Sequence, residues 1–238
     1  MISVIIPTYN EEPAIGSLLQ HLRKIMKDRL MEVIVVDSGS EDATVTEAKR
    51  NGARVVHSTQ KGRALQMNEG AKVAKGRVLY FLHADTFPPE TVYADICTSI
   101  QAGYKAGCFQ LAFDWDHSLL KAFAWCTRLD WDVFRFGDQS LFIEASLFKN
   151  IGGFDTTLTV MEDQEVVRRI KKRASFTVCQ NKVITSARKY KMMGVLRLQL
   201  IFTVIVALYY AGVSQSVIVH FYWSQLKQFS CYDTVKEV

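Results

Sequence analysis

The feature that most constrains this chain is the regular alternation of short apolar runs with amphipathic segments over its first hundred residues. The apolar runs are typical of strands buried in a parallel sheet, and the segments between them repeat apolar residues at helical spacing. The predicted strands are 2–7, 32–36, 53–57 and 78–82, and the predicted helices are 12–28, 42–50, 62–75 and 88–101. This alternation predicts an α/β fold whose central sheet is mostly parallel, with helices on both faces.

After Gly107 the regular alternation ends. Strands are predicted at 108–113 and 140–143, helices at 116–133 and 161–173, and a short strand pair at 176–178 and 182–185. Because 49% of the residues are apolar and 22% are charged, the chain has the composition of an ordered globular protein. We expect one α/β domain over residues 1–190, followed by an apolar and basic helical segment over residues 191–238.

The C-terminal segment has an unusual distribution of charge. Residues 166–232 contain eleven Lys and Arg but no Asp or Glu, and residues 198–219 contain no charged side chain. As one helix, those uncharged residues would extend about 33 Å, close to the thickness of a bilayer core. Three interpretations follow: helices at a membrane surface or a subunit interface through residues 192–228, a buried helix, or a membrane span. The basic cluster before this segment would attract anionic headgroups.

The five cysteines predict neither a disulfide framework nor a zinc site, because they are scattered and none forms a C-x-x-C pair. They are interpreted as buried, reduced thiols. A strand predicted directly at the N-terminus argues against a signal peptide, so we expect a cytoplasmic protein, at the inner face of the cell membrane if the C-terminal segment contacts lipid. No nucleic-acid partner is expected.

Polar residues at the ends of the predicted strands are the first candidates for a site. Ligands of parallel sheets bind beyond the carboxyl ends of the strands, where Asp37, His83 and Asp85 would meet. Asp37 could accept hydrogen bonds from a base or ribose, and Asp85 could bind a divalent cation. Arg63 at a helix start would suit a diphosphate. Each of these residues also has an ordinary alternative, because Asp favours turns and helix caps.

Glu162 and Asp163 form a second candidate pair, next to a helix with five basic residues on its far side. A carboxylate beside an acceptor hydroxyl can act as a general base. Acidic residues at the start of a helix also stabilise its N-terminus, so the pair taken alone is ambiguous.

Taken together, these motifs resemble family 2 glycosyltransferases of the GT-A fold, over residues 2–190, and in particular a short bacterial branch that acts without accessory domains. The segments that carry the resemblance are 4–12, 33–40, 62–64, 68–71, 82–86, 136–139, 152–155 and 161–165. Their order and separation make the set specific. The resemblance implies transfer of a sugar from a nucleoside diphosphate sugar, with a UDP-sugar as the expected donor, to an acceptor hydroxyl.

The resemblance also implies roles for single residues. The residues assigned to donor binding are Pro7, Tyr9, Glu11, Asp37, Arg63, Ala84 and Asp85, with Tyr9 lying against the base. Asp163 would be the catalytic base. The acceptor side would be formed by Glu162, Gly137, Asp138 and Gln139. Asp85, together with His83, would hold a divalent cation, Mn²⁺ or Mg²⁺.

The sequence departs from the family pattern at two places. His83 stands where many members have the first Asp of a D-x-D metal motif, and imidazole suits Mn²⁺ better than Mg²⁺. Beyond Asp163, Arg169 is followed by Ile170, where many members have a Trp after Gln-x-x-Arg.

The expected reaction is one displacement with inversion at the anomeric carbon. Two other classes stay open: a membrane-associated protein that binds nucleotide sugars without turnover, and a nucleotidyltransferase. A nucleotidyltransferase or a dehydrogenase would need a glycine-rich phosphate loop after the first strand, where this chain has Pro7, Thr8, Tyr9 and Asn10. The acceptor is expected to be lipid-linked, because the C-terminal part is basic and apolar.

Overall fold

The computed structural model describes residues 1–26 and 31–226, and within them the chain forms eight strands and ten α-helices. The strands are β1 (Ile2–Thr8), β2 (Met31–Asp37), β3 (Arg54–His57), β4 (Val78–Phe81), β5 (Thr86–Phe87), β6 (Ala106–Phe113), β7 (Leu141–Glu144) and β8 (Phe176–Thr185). The helices are α1 (Glu12–Met26), α2 (Thr44–Arg50), α3 (Arg63–Val73), α4 (Val92–Gln101), α5 (Ser118–Cys126), α6 (Ala145–Asn150), α7 (Glu162–Lys171), α8 (Arg188–Met193), α9 (Val195–Tyr210) and α10 (Gln215–Leu226).

The strands form one sheet in the order β3-β2-β1-β4-β7-β6-β8-β5. Strands β1 to β4 pair in parallel, as the alternation predicted. Strand β7 pairs antiparallel with both β4 and β6, and β5 pairs antiparallel with β8. Since β6 and β8 pair in parallel, only β5 and β7 run against the other strands. The predicted mostly parallel α/β sheet is therefore confirmed, with a mixed half that begins at β7.

Helices cover both faces of the sheet because successive strand residues point to opposite sides. One core joins Val4 and Ile6 of β1 to apolar residues of α1 and α4. The other core joins Ile5 to residues of α3, α6 and α7. At Gly70 of α3, an added Cβ would overlap the Ile5 side chain, so glycine is what allows this helix to lie close against the sheet.

Two predicted elements in the second half are wrong. The helix predicted at 116–133 ends at Cys126, and single turns of 3-10 helix follow at Asp132–Phe134 and Gly137–Gln139. Arg135 is 1% exposed and donates to the backbone carbonyls of Thr127, at 3.0 Å, and of Leu129, so a buried side chain folds this loop back on itself.

The strand pair predicted at 176–178 and 182–185 is instead one strand, β8. It runs parallel to β6 along its whole length, and the register shifts between Phe109 and Gln110 because Gln180 and Asn181 bulge out of the ladder. The sequence suggests a turn there because these two residues are polar. The long partner strand β6 keeps both arms of β8 in one sheet.

The uncharged segment 198–219 forms parts of two helices, α9 and α10, which are separated at Gly212, whose φ is 77°. Their buried residues, including Leu198, Ile205 and Ile218, form a third core with α5 and α8. Within the described residues, no helix combines the length and the apolar character needed to cross a bilayer. Residues 27–28 of the predicted first helix, Cys231 and the end of the predicted C-terminal segment lie outside the described residues.

Candidate active site

A cavity of about 390 Å³ opens at the carboxyl ends of the central strands. One end is polar and contains the strand-end residues His83 and Asp85 together with residues from the second half of the chain. The other end is apolar and is formed largely by the third core. The predicted site residues that line the cavity are Arg63, His83, Asp85, Gly137, Asp138, Glu162 and Asp163. The fold therefore brings together residues that are up to 100 positions apart.

His83 and Asp138 form an ion pair, with 2.9 Å between Nδ1 of His83 and Oδ1 of Asp138. Burial lowers the pKa of His83, but the hydrogen bond and charge of Asp138 outweigh it, so this pKa lies above the ordinary value. Burial likewise raises the pKa of Asp138, and the partnership with His83 outweighs it in the opposite direction. The turn 137–139 is thereby attached to the end of β4.

Asp85 lies in the same polar end, two residues after His83. Burial and the negative charge of Asp138 raise the pKa of Asp85 above its ordinary range. A bound cation would relieve this crowding of negative charge, so Asp85 and Nε2 of His83, the ring nitrogen that does not bond to Asp138, fit a divalent cation. No preassembled group of three or more His, Cys, Asp or Glu suited to a metal ion occurs in the described part of the chain. The protein would therefore supply few ligands to a bound cation.

Asp163 is placed at the first turn of α7, directly above Gly137. A Cβ at Gly137 would overlap the Asp163 carboxylate and would lie 2.7 Å from Cε1 of His83, so only glycine permits this approach. Burial raises the pKa of Asp163, and the positive charges of Arg63 and His83 oppose that effect without cancelling it. The site therefore holds a carboxylate that binds a proton more readily than an exposed Asp does.

Half-buried Arg63 and buried Glu162 form an ion pair, with 2.8 Å between Nη2 of Arg63 and Oε1 of Glu162. Burial, together with the charge of Asp163, raises the pKa of Glu162 to about 7, although Arg63 lowers it. Within the described residues, Oε2 of Glu162 and Nε of Arg63 have no hydrogen-bond partner. Buried polar atoms without partners are rare in proteins, and those next to a cavity are suited to bind a polar ligand.

The residues predicted to bind the nucleoside lie beside this cavity, outside its lining. The ammonium of Lys61 lies 3.7 Å from the ring centroid of Tyr9 and covers one face of the ring. Both oxygens of Asp37 are occupied, because the backbone N–H groups of Gly39 and Ser40 donate to Oδ2 and the hydroxyls of Ser40 and Thr8 donate to Oδ1. Asp37 thus organises the turn after β2, and contact with a nucleoside stays a prediction.

Three other predicted residues are buried in the protein interior, and their roles in binding stay predictions. Pro7 and Ala84 are buried, and Gln139 is 1% exposed. The amide of Gln139 donates to the carbonyl of Phe109 at 3.0 Å and accepts from the backbone N–H of Phe136 at 3.1 Å. These bonds tie the Gln139 side chain to β6 and stabilise the turn that carries Asp138.

Arg188 connects the nucleoside side with the cavity, and the sequence had suggested a different use for it. It lines the cavity, and its Nη2 lies 3.6 Å from Oε1 of Glu11. The basic cluster that begins here was interpreted as a site for anionic headgroups. Two neighbouring cations, Arg188 and Lys189, face the cavity instead, where they lower the pKa of Asp85 through their charge.

Backbone strain is concentrated around the site. Among the described residues other than glycine, Asn10, Ser140 and Met161 have positive φ values of 53°, 49° and 70°. Asn10 follows β1, Ser140 follows the turn of Asp138, and Met161 precedes Glu162. Such conformations cost on the order of 1–3 kcal/mol each, and they cluster where function needs a fixed geometry.

The family model for glycosyl transferase family 2 matches residues 3–123. Glucosyl-3-phosphoglycerate synthase of Mycolicibacterium paratuberculosis is 33% identical over 102 residues, which cover 39% of this chain and 30% of that protein. An uncharacterized glycosyltransferase of Haemophilus influenzae is 27% identical over 189 residues, which cover 74% of this chain and 64% of that protein. The match spans about a third of the length of the first curated relatives.

Solved structures show the same fold. A mannosyltransferase from Pyrobaculum calidifontis, in complex with GDP-Man and Mn²⁺, has a TM-score of 0.68 at 19% identity, covering 87% of this chain and 61% of that one. Glucosyl-3-phosphoglycerate synthase from Mycobacterium tuberculosis, in complex with Mn²⁺, UDP and glucosyl-3-phosphoglycerate, has a TM-score of 0.62 at 18% identity, covering 91% and 81%. The predicted GT-A type fold is therefore confirmed. Because the family model matches half of the sequence, from β1 into α5, this chain belongs to glycosyl transferase family 2.

Proposed function

We propose that the protein transfers a sugar from a nucleoside diphosphate sugar to an acceptor hydroxyl, with inversion at the anomeric carbon. The observation that carries this proposal is the placement of half-buried Asp163 in the same cavity as Arg63 and Asp85. Sugar transfer needs a base that takes the proton of the acceptor hydroxyl, and it needs positive charge that stabilises the leaving diphosphate. The polar end of the cavity contains residues suited to both tasks.

Arg63 is the residue suited to the leaving diphosphate. It is a guanidinium at the start of α3, where the helix dipole also favours negative charge. Its partner Glu162 has a pKa of about 7, so it can take up a proton and leave Arg63 available for phosphate oxygens. A divalent cation, Mn²⁺ or Mg²⁺, held by Asp85 and His83 would supply further neutralisation of the diphosphate charge.

Asp163 is the base in this proposal. Burial raises the pKa of this carboxylate, which strengthens it as a proton acceptor provided that it is ionised when the acceptor binds. As the acceptor oxygen bonds to the anomeric carbon, its proton moves to Asp163 and the bond to the diphosphate breaks. Because the oxygen attacks from the face opposite the leaving group, a single displacement inverts the centre.

The donor is proposed to be a UDP-sugar whose nucleoside lies beyond the polar end, near Tyr9, Pro7, Glu11, Asp37 and Ala84. Structures with this fold have been solved with UDP-GlcNAc and with UDP, which supports the assignment. A base stacked on Tyr9 would have to displace Lys61 from the ring. The acceptor side is assigned to Gly137, Asp138 and Glu162 around Asp163, with Gln139 supporting the turn.

The same proposal includes a lipid-linked acceptor and a place at the inner face of the cell membrane. It also includes contact through residues 192–228 with lipid or with a second copy of the chain. Matching relatives include a dolichyl-phosphate hexose transferase of Haloferax volcanii, 38% identical over 91 residues that cover 37% of this chain and 39% of that protein. That relative supports a lipid acceptor.

A thermal-shift screen of nucleotide sugars, with and without Mn²⁺, tests donor binding. A true donor raises the Tm by mass action, by an amount that grows with its concentration. Product formation from the radiolabelled donor then separates an enzyme from a protein that binds nucleotide sugars without turnover. Release of pyrophosphate from a nucleoside triphosphate, in place of sugar transfer, would favour the nucleotidyltransferase alternative and contradict the proposal.

A further inference from the structure

The cavity extends well past the polar residues used in the reaction. Beyond Asp163 and Asp138 its wall is formed by apolar side chains of α9 and α10 and of the segment 111–134. Its volume of about 390 Å³ lies within the range of about 300–1,000 Å³ that is typical of sites burying small-molecule ligands. The reactive end and the apolar wall therefore belong to one space.

Helix α9 supplies the largest share of this wall. Leu198, Phe202, Ile205 and Val206 recur at helical spacing and all line the cavity. Tyr222 of α10 also lines it and lies close enough to Arg63 to raise the pKa of that guanidinium. The C-terminal helices thus reach the reactive end itself.

Two polar side chains of α9 line the cavity, and each makes a hydrogen bond within the protein. Gln199 accepts a hydrogen bond from the Tyr190 hydroxyl at 3.2 Å, and the Thr203 hydroxyl donates to the carbonyl of Gln199 at 2.8 Å. A sugar or polyol placed along the apolar side chains of this wall would give up water without gaining hydrogen bonds from them, which is unfavourable. The wall therefore suits an apolar ligand.

The donor nucleoside does not account for this wall. The residues suited to a base and ribose, Tyr9 and Asp37, are absent from the cavity lining, and the ion pair of Arg188 with Glu11 connects their side of the sheet to the polar residues of the cavity. The diphosphate and sugar would lie at Arg63, Asp85 and Asp163. What remains for the apolar wall is the molecule that brings the attacking hydroxyl to Asp163.

We propose that the apolar wall of α9 and α10 binds the apolar body of the acceptor and directs its hydroxyl to Asp163. The inference rests on the proposed function and deepens it, since it gives the acceptor class as a molecule with an apolar body directly beside the reacting oxygen. An alkyl or isoprenoid chain and an aromatic ring share this chemistry. The C-terminal helices are then the acceptor-binding part of the enzyme.

Isothermal titration calorimetry with alkyl glucosides tests the wall without any donor. The probes are methyl, hexyl, heptyl, octyl and phenyl β-D-glucoside, each below its micellar concentration, with the full chain. Each added methylene is expected to tighten binding about fourfold, the value for burying one CH₂ group. Methyl glucoside should show the weakest binding of the set.

Three variants identify where the probes bind. Phe202→Gln should weaken octyl glucoside by at least about tenfold through loss of buried apolar area. Val206→Thr keeps the shape of the side chain and adds a hydroxyl, and it should weaken binding even if Phe202→Gln fails to fold. Leu200→Gln is the matched control, because Leu200 is on the same helix, is 64% exposed and does not line the cavity.

The outcomes separate this inference from the proposed function. A preference for octyl over phenyl glucoside supports an acceptor with a lipid chain, and the reverse supports an aromatic acceptor. Chain-length-independent binding, or equal weakening by Leu200→Gln and Val206→Thr, overturns the inference even if a donor is bound and turned over. If the glucosides bind as expected but no nucleotide sugar binds, the proposed function is contradicted, whereas the apolar binding site is retained.

Discussion

The two halves of this molecule reach the active site in different ways. In residues 2–101 each site residue follows a strand or begins a helix of a regular parallel α/β unit. In residues 106–226 the site residues lie on 3-10 turns, at a helix start with a left-handed residue before it, and on helices outside the sheet. The comparison teaches that a regular sheet positions the residues proposed to bind the donor, whereas side-chain contacts position those proposed to face the acceptor.

Ionisable side chains in the two halves differ in how they are stabilised. Asp37 in the first half is satisfied by its own turn and by Thr8 of β1, through four hydrogen-bond donors. In the second half, buried Glu162 and half-buried Asp163 have raised pKa values. The pKa of Asp85, in the first half, is raised as well, so groups with a raised pKa come from both halves to the polar end of the cavity, as expected where chemistry takes place.

Asp163→Asn is expected to have the largest effect, and it tests whether the catalytic base lies in the second half. If the second half carries the base, the variant should lose about 10²–10⁴-fold in kcat, because an amide cannot accept the proton. Donor binding, measured by thermal shift, should persist. Asp116→Asn, at an exposed carboxylate, is the control. If Asp163→Asn transferred sugar at the wild-type rate, Asp163 would not be the base.

Gly137→Ala tests whether close packing, and not charge alone, organises the second half. The added methyl would overlap the Asp163 carboxylate and press on His83, so the base would have to move. We expect kcat to fall by up to about 100-fold, as displacements of about 1 Å can cause. Gly16→Ala, where the new methyl meets only the ends of the Glu47 and Asn51 side chains, should keep full activity. Equal effects of the two changes would contradict this interpretation.

Glu162→Gln tests how the buried carboxyl group of Glu162 affects the pH dependence of the unfolding free energy. The ordinary pKa of Glu, 4.5, rises to about 7 in the fold, so folding disfavours the ionised form. Wild-type stability should therefore fall as the pH rises from 4.5 to about 7 and level off above it. Urea unfolding across this range should show that Glu162→Gln lacks this part of the slope, whereas Glu41→Gln keeps it. If the unfolding free energy of Glu162→Gln changed with pH as that of the wild type does, a group other than Glu162 would be the one that titrates.

Tyr209→Phe should have the smallest effect. The guanidinium of Arg168 on α7 donates to the Tyr209 hydroxyl at 2.5 Å and lies 5.2 Å from the Tyr209 ring, which ties α7 to α9. Loss of the hydroxyl should cost about 1–2 kcal/mol in unfolding free energy and lower kcat a few-fold. Tyr104→Phe, on a remote loop, is the control. If Tyr209→Phe changes neither quantity, α9 does not support α7.

Local sequence explains much of the first half and of the catalytic residues. The strands 2–7, 32–36 and 78–82 were predicted within a residue or two, because continuous apolar runs leave few other structures open to them. Asp85 and Asp163 were identified through a family resemblance. The helix 116–133 was predicted from an aromatic-rich segment, but its last aromatic residue, Trp131, stacks on Phe134 beyond the end of α5, with ring centroids 5.7 Å apart.

The sequence by itself determined the parallel α/β half, the family and the identity of the charged residues, since apolar periodicity and motif order are local properties of the chain. Only the tertiary structure decided that Gly137 makes room for Asp163, that Arg135 folds the loop before it, and that α9 and α10 form a wall of the cavity. The physical reason is that these features depend on contacts between side chains distant in sequence, and no local pattern records which residues will meet.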